Sequence, residues 1–144
     1  MSPPLTPEER AGLLVHACTD ELIALADRIT AGGGCRVTTQ PQVGTVLLQV
    51  REPVVGERFY LTEVLVTEAE VAVLGAEGWA MRLGDDRLAT LAAAVCDGAA
   101  EAGHHLAEDV ERLCAQTARE QADARAEEQS LIAPTTVRFE ELDR

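Results

Sequence analysis

The stretch between Gly32-Gly33-Gly34 and Gly84-Asp85-Asp86 does most to limit the folds open to this chain. Residues 35–40, 45–51, 59–74 and 79–83 are rich in valine, threonine and other strand-forming residues. Only Pro41-Gln42, a Pro53–Gly56 loop and Gly75-Ala76-Glu77-Gly78 separate the later ones. Parallel neighbours need a crossover of about a dozen residues or more, and none of these breaks is that long. The segment therefore predicts an antiparallel sheet of about four strands, the third bent or bulged near Thr67-Glu68-Ala69.

Helical patterns flank the sheet. Thr6-Pro7-Glu8-Glu9 combines an N-cap threonine, proline at the first helical position and glutamate three residues on, so a helix begins here and runs to about Ala17. Thr19 or Asp20 caps a second helix with Leu22, Ile23, Leu25, Ala26 and Ile29 on its apolar face, which the glycine triplet stops. After the sheet, Leu88, Leu91, Val95 and Ala99 mark the core face of a third helix that ends at Gly103. A fourth runs from about His105 to Ser130, and Val137-Arg138-Phe139 reads as a short terminal strand or docking segment. The reading is one α+β domain over 1–144: two N-terminal helices, the sheet, then two C-terminal helices, the last long.

The fourth helix changes character midway. Leu106, Val110, Leu113 and Thr117 form an apolar stripe, after which no large apolar residue appears before Leu131. Ala115, Ala118, Ala122 and Ala126 continue on one face instead. Such a half-helix is either solvated, or receives another helix closely.

A chain of 144 residues buries roughly two thirds of its unfolded surface. Its core must be aliphatic, with close contacts made by alanine, because Trp79 and Tyr60 are the only residues of their types. The net charge is −13 and every cation is an arginine or histidine, since the chain holds no lysine. That field repels phosphate backbones and argues against nucleic-acid binding. No segment approaches the ~20 apolar residues of a membrane span, and the N-terminus lacks the features of a secretory signal. Cys18, Cys35, Cys96 and Cys114 include no C-x-x-C pair, so free thiols in a cytoplasmic protein are expected.

Reactive side chains are sparse. Without lysine there is neither a phosphate-cradling P-loop nor Schiff-base chemistry. Ser2 and Ser130 are the only serines and neither lies in a nucleophile turn. His104-His105 is the one pair suggestive of a metal, yet neighbours on a helix diverge by about 100° and no H-E-x-x-H accompanies them. Cys96 beside Asp97 sits in an alanine-rich helix whose burial would raise its pKa. The expectation is no catalytic residue, no metal and no cofactor.

One ordered constellation stands out. Gly44-x-Val46-x-x-Gln49-x-Arg51 leads into Gly56-Glu57-Arg58-Phe59-Tyr60, then Gly78-Trp79, Leu83-Gly84-x-Asp86, and Asp97. In this order and spacing the residues resemble the PhnG family of the phosphonate carbon–phosphorus lyase system, over most of the chain. Gly98 departs from the alanine usual there, and Asp85 from a basic residue. The resemblance implies a non-catalytic, assembly-forming component that joins the H, I and J subunits of that system. With its partners it serves a transfer of the ribose triphosphate of ATP to alkylphosphonate, with no cofactor of its own. The isolated chain is free to self-associate through surfaces meant for those partners.

Glu57 and Arg58 are candidates for an ion-paired contact with a partner, since arginine's fork suits carboxylates across an interface. The bland alternative is a local salt bridge at the strand entry; a rival gives Arg58 or Arg82 a phosphate contact. Two other function classes remain: a free-standing small-molecule binding or regulatory domain with the sheet as one wall of a pocket, and an enzyme using Cys96 or the histidine pair.

Overall fold

A computed structural model describes residues 5–135. Helices α1 (Pro7–Leu14) and α2 (Thr19–Ala31) precede strands β1 (Cys35–Arg51), β2 (Arg58–Val73) and β3 (Ala76–Leu83); helices α3 (Arg87–Glu101) and α4 (Ala107–Ile132) follow, and a 3-10 turn spans Ala133–Thr135. Residues 137–139, expected to form a terminal strand, lie outside the described residues.

The architecture is α+β with an antiparallel sheet, but the strands are three, in the order β1-β2-β3. The break expected at Pro41-Gln42 does not occur. β1 runs through it as an edge strand, where a missing N–H costs no ladder bond. The irregularity appears as register shifts between Val37 and Thr39 and between Thr39 and Gln42. The bend expected near Thr67–Ala69 is thus carried by extra residues in the opposite strand, while β2 pairs with β3 without interruption.

At the N-terminus the expected capping box is present: Glu9 N donates to Thr6 Oγ1 at 3.2 Å and Thr6 N to Glu9 Oε2 at 2.9 Å. The bonds that Thr6 N and Thr6 Oγ1 donate to Glu9 Oε2 hold the Glu9 carboxyl below its usual range. α1 ends at Leu14, earlier than expected, and α2 takes Cys18 as N-cap with no side-chain bond. Gly33 and Gly34, at φ +76° and +78°, then reverse the chain into β1.

α3 lies against β2 and β3 and carries α2 against it. Its buried residues are mostly small: Ala89, Ala92, Ala93, Ala94, Cys96, Gly98 and Ala99. Opposite them β3 presents Gly78 and Ala80, paired with Val71 and Ala69 of β2. An alanine-lined helix meeting a glycine-lined strand brings two backbones unusually close, the expected consequence of a core poor in aromatics. Leu88, expected on the core face, is 60% exposed. So much of α3 is buried that its exposed residues fall at its two ends, Arg87 and Leu88 in the first turn and Glu101 at the last position.

Two projections leave this core at one end. β3 stops with Leu83 opposite Val66, while β2 reaches back to Arg58 and β1 on to Arg51. The two strands continue alone as a ribbon of about 25 Å. α4 runs antiparallel to α2, with Asp109 beside Arg28 and Gln116 beside Glu21. It passes its last buried residue, Thr117, and continues to Ile132, about 22 Å further. The start of α2 lies at the base of the ribbon, because Arg82 of β3 binds the carbonyl of Ala17 and pairs across the sheet with Thr67. Ribbon and helix therefore point past the same end of the molecule.

Candidate functional site

The motif residues divide into two groups. The first is built into the core. A Cβ on Gly78 would stand 2.6 Å from Gly98 Cα and still closer to Gly98 N and the Ala94 carbonyl, so only glycine permits this approach. Asp97 reaches the open edge of β3, where Trp79 N donates to its Oδ2 at 3.0 Å. Its Oδ1 accepts from Arg10 Nε at 2.7 Å, and Arg10 also pairs with Glu101. Burial disfavours the charge on Arg10, but its bonds to Glu101 and Asp97 outweigh that and raise its pKa. Gly84, at φ +91°, closes the turn after β3, its N–H donating to Leu65 O at 2.9 Å and its carbonyl accepting from Thr67 Oγ1 at 2.8 Å. Asp86 caps α3 by accepting from Ala89 N at 2.9 Å.

The second group lies on the ribbon: Gly44, Gln49, Arg51, Gly56, Glu57, Arg58 and Phe59. Gly44 touches nothing within 4 Å of a built Cβ, and Gly56 takes φ +77° in the tip. Glu52 organises that tip, its carboxylate accepting from Val54 N at 2.7 Å and Val55 N at 2.5 Å, with its own pKa held low by these bonds. Glu57 and Arg58 are exposed, and among the described residues neither side chain makes an ion pair or hydrogen bond within the chain. The local salt bridge is therefore not formed. Around them Val46, Leu47, Leu48, Val54, Val55, Phe59, Tyr60, Leu61 and Leu65 are exposed.

Among the alanines of α4, Ala115, Ala122 and Ala126 are exposed and Ala118 is half-buried. Beyond Thr117 the helix forms one wall of an open groove of about 730 Å3, lined by Leu5 and by Gly12 and Leu13 of α1 on one side and Gln121, Ala124 and Arg125 on the other. A more enclosed hollow of about 180 Å3 between α2 and α3 is lined by Ile23, Leu91, Ala92 and Val95 with Asp27 as its one charge. It is smaller than the usual range for a ligand site and lacks convergent polar groups. Nor is the sheet a pocket wall on its inner side, because α3 covers it.

The chemical candidates have structural occupations. His104 is buried and its Nδ1 accepts from Leu106 N at 3.1 Å, closing the turn before α4. Among the described residues no three His, Cys, Asp or Glu side chains gather as a metal site. Arg82 Nη1 donates to the Leu14 carbonyl at 2.8 Å and so ties the end of α1 to β3. Burial pushes the Cys96 thiol up to about 12 and Cys114 to about 11, far from a nucleophile's range. In native protein treated with iodoacetamide at pH 8, the exposed Cys18 should alkylate first and the half-buried Cys35 more slowly. Cys96 and Cys114 should react only after unfolding; native labelling of Cys96 on the timescale of Cys18, read by peptide mass spectrometry, would contradict this burial.

No local pattern announces the Arg10–Asp97–Glu101 cluster, whose members are up to 91 residues apart. Asp97 is marked by its place in the ordered constellation and as an aspartate inside the run Ala92–Ala100, but nothing marks Arg10 or Glu101 as its partners. Among the described residues no helix is long and apolar enough to cross a membrane. No curated protein sequence matches the chain significantly. Residues 7–144 match the family described as phosphonate metabolism protein PhnG. A match over nearly the whole chain, reaching from the start of α1 through both groups of motif residues, makes this chain a member of the PhnG family, which acts in phosphonate metabolism.

Proposed function

We propose that the chain is a non-catalytic, assembly-forming subunit of a cytoplasmic carbon–phosphorus lyase core complex. It joins the H, I and J subunits and is required with them for transfer of the ribose triphosphate moiety of ATP to alkylphosphonate. The observation that carries this reading is the division of the motif. Gly78, Gly84, Asp86 and Asp97 each have a folding role, whereas Gln49, Arg51, Glu57, Arg58 and Phe59 stand exposed on a ribbon with no such role. A signature on a bare projection is what a surface made to meet another protein requires. The exposed alanine face of α4, including Ala115, Ala122 and Ala126, offers a second close-packing surface at the same end.

The reading as a free-standing binding domain is weaker, because the enclosed hollow is small and nearly without polar groups. Co-expression with the three subunits separates the two. A tagged chain should retain them through size-exclusion chromatography, and leaving it out should abolish ATP- and alkylphosphonate-dependent release of adenine. Elution of the tagged chain alone, with adenine release unaffected by its omission, would refute the proposal.

A further inference from the structure

The ribbon's two faces differ in chemistry, and the difference specifies what can cover them. Thr45 opposes Leu65, on the helix side of the sheet with Thr67 and Ala69. Between Leu48 and Gln49 the register shifts, leaving Leu61 as an extra residue in β2 and turning the remainder of that strand over. The outer face then carries Val46, Leu48, Val50, Val64 and Phe59, with Gly44 and Thr62 and no charge. The helix-side face carries Leu47, Gln49, Tyr60, Glu63 and Leu65, and ends at the tip in Arg51 directly opposite Arg58. Like charges placed opposite one another repel. Among the described residues neither arginine has a carboxylate within salt-bridge distance.

A two-stranded ribbon with no core of its own is marginal in water. Its span of eight residues at about 3.4 Å, and width of two strands at about 5 Å, give each face roughly 270 Å2. Specific interfaces bury about 800 Å2 per partner. A second copy packed face to face about a two-fold axis covers only one face of each ribbon, well short of that area, and sets a net charge of −13 against another −13. A partner that encloses both faces and the Pro53–Gly56 tip approaches the required area.

We infer that the ribbon inserts into a cleft of a different protein, one wall of which is apolar against Val46, Leu48, Val50, Phe59 and Val64, while the other presents carboxylate to Arg51 and Arg58. This assigns the docking element of the assembly proposed above and rests on that reading. Insertion relieves the arginine repulsion through bidentate ion pairs and removes the uncharged face from water. Because the ribbon lies outside the α3-centred core, changes on it leave the fold intact.

The test uses the co-expressed assembly with three variants. One joins Leu47 to Glu63 through an Asn-Gly turn, which suits a two-residue hairpin at a directly opposed pair. The second is Leu48→Thr with Phe59→Ser, and the third Arg51→Glu with Arg58→Glu. Each should keep the wild-type unfolding midpoint within about 3 °C, given the small effect of substitutions outside the core, yet lower recovered complex at least tenfold. In the wild-type protein, amide exchange over residues 44–65 should slow at least a hundredfold on assembly. Full complex yield from the shortened chain, or equal exchange in the free and assembled states, would overturn the inference while leaving the assembly reading standing. Two copies of this chain cross-linked ribbon to ribbon within the wild-type assembly would assign the ribbon to a second copy, and ATP binding by the isolated chain lost in Arg51→Glu/Arg58→Glu would assign the arginines to phosphate; either overturns it. Failure of the wild-type chain to join any of the three subunits overturns both readings.

Discussion

Gly78→Ala is expected to destabilise the protein by about 3 kcal/mol, because the added methyl meets backbone, not a side chain that can turn away. Its nearest obstacles are Gly98 and the Ala94 carbonyl, all in the helix on which the sheet is packed. Relief requires α3 to move off β3. That would disturb the bond from Trp79 N to Asp97 and the small-residue contacts on both sides of it. The midpoint of thermal unfolding, followed by circular dichroism, should fall by about 10 °C. Gly44→Ala is the matched control, since a Cβ there meets nothing within 4 Å. A change at Gly78 no larger than at Gly44 would show that strand and helix do not approach this closely.

Asp97→Ala should cost about 3–5 kcal/mol, the range for removing one member of a buried ion pair. Arg10 is 6% exposed and would keep only Glu101, which is more open to solvent. The Trp79 N–H, at the unpaired edge of β3, would lose its acceptor at the same time. Asp97→Asn retains an acceptor for Trp79 and should cost less than the alanine change. Arg10→Met combined with Asp97→Leu should recover part of the loss, because no buried charge is then left without its partner. Chemical denaturation measures all three. A loss below about 1 kcal/mol in Asp97→Ala would mean that α1 is not pinned to α3 through this cluster.

Local signals in the sequence serve well where the structure is local. Thr6 with Glu9, the glycine triplet and Asp86 mark ends of elements through bonds within a few residues, and the apolar spacing of Leu22 to Ile29 and of Val110 to Thr117 locates buried helix faces. The strand count expected from the breaks is one too high, because whether proline ends a strand depends on whether a neighbour needs its N–H. Pro41 lies on an edge, and that is a property of the assembled sheet. Leu88 departs from expectation for a related reason. Period alone ranks leucine above alanine as a core residue, whereas here close helix–strand approach buries the alanines and leaves the leucine out. The motif around Gly56–Tyr60 is legible as a unit, but not its position on a free ribbon. That follows only from where β3 stops, at Leu83 opposite Val66.

If this chain works as a structural part of a larger assembly, native mass spectrometry of the complex formed by co-expressing it with the H, I and J subunits tests that role most directly. One assembly is expected, its mass requiring this chain in stoichiometric amount with the others, and it should disappear when the ribbon is shortened. A free chain of 15.4 kDa beside an assembly of the other three that forms without it would contradict the structural role.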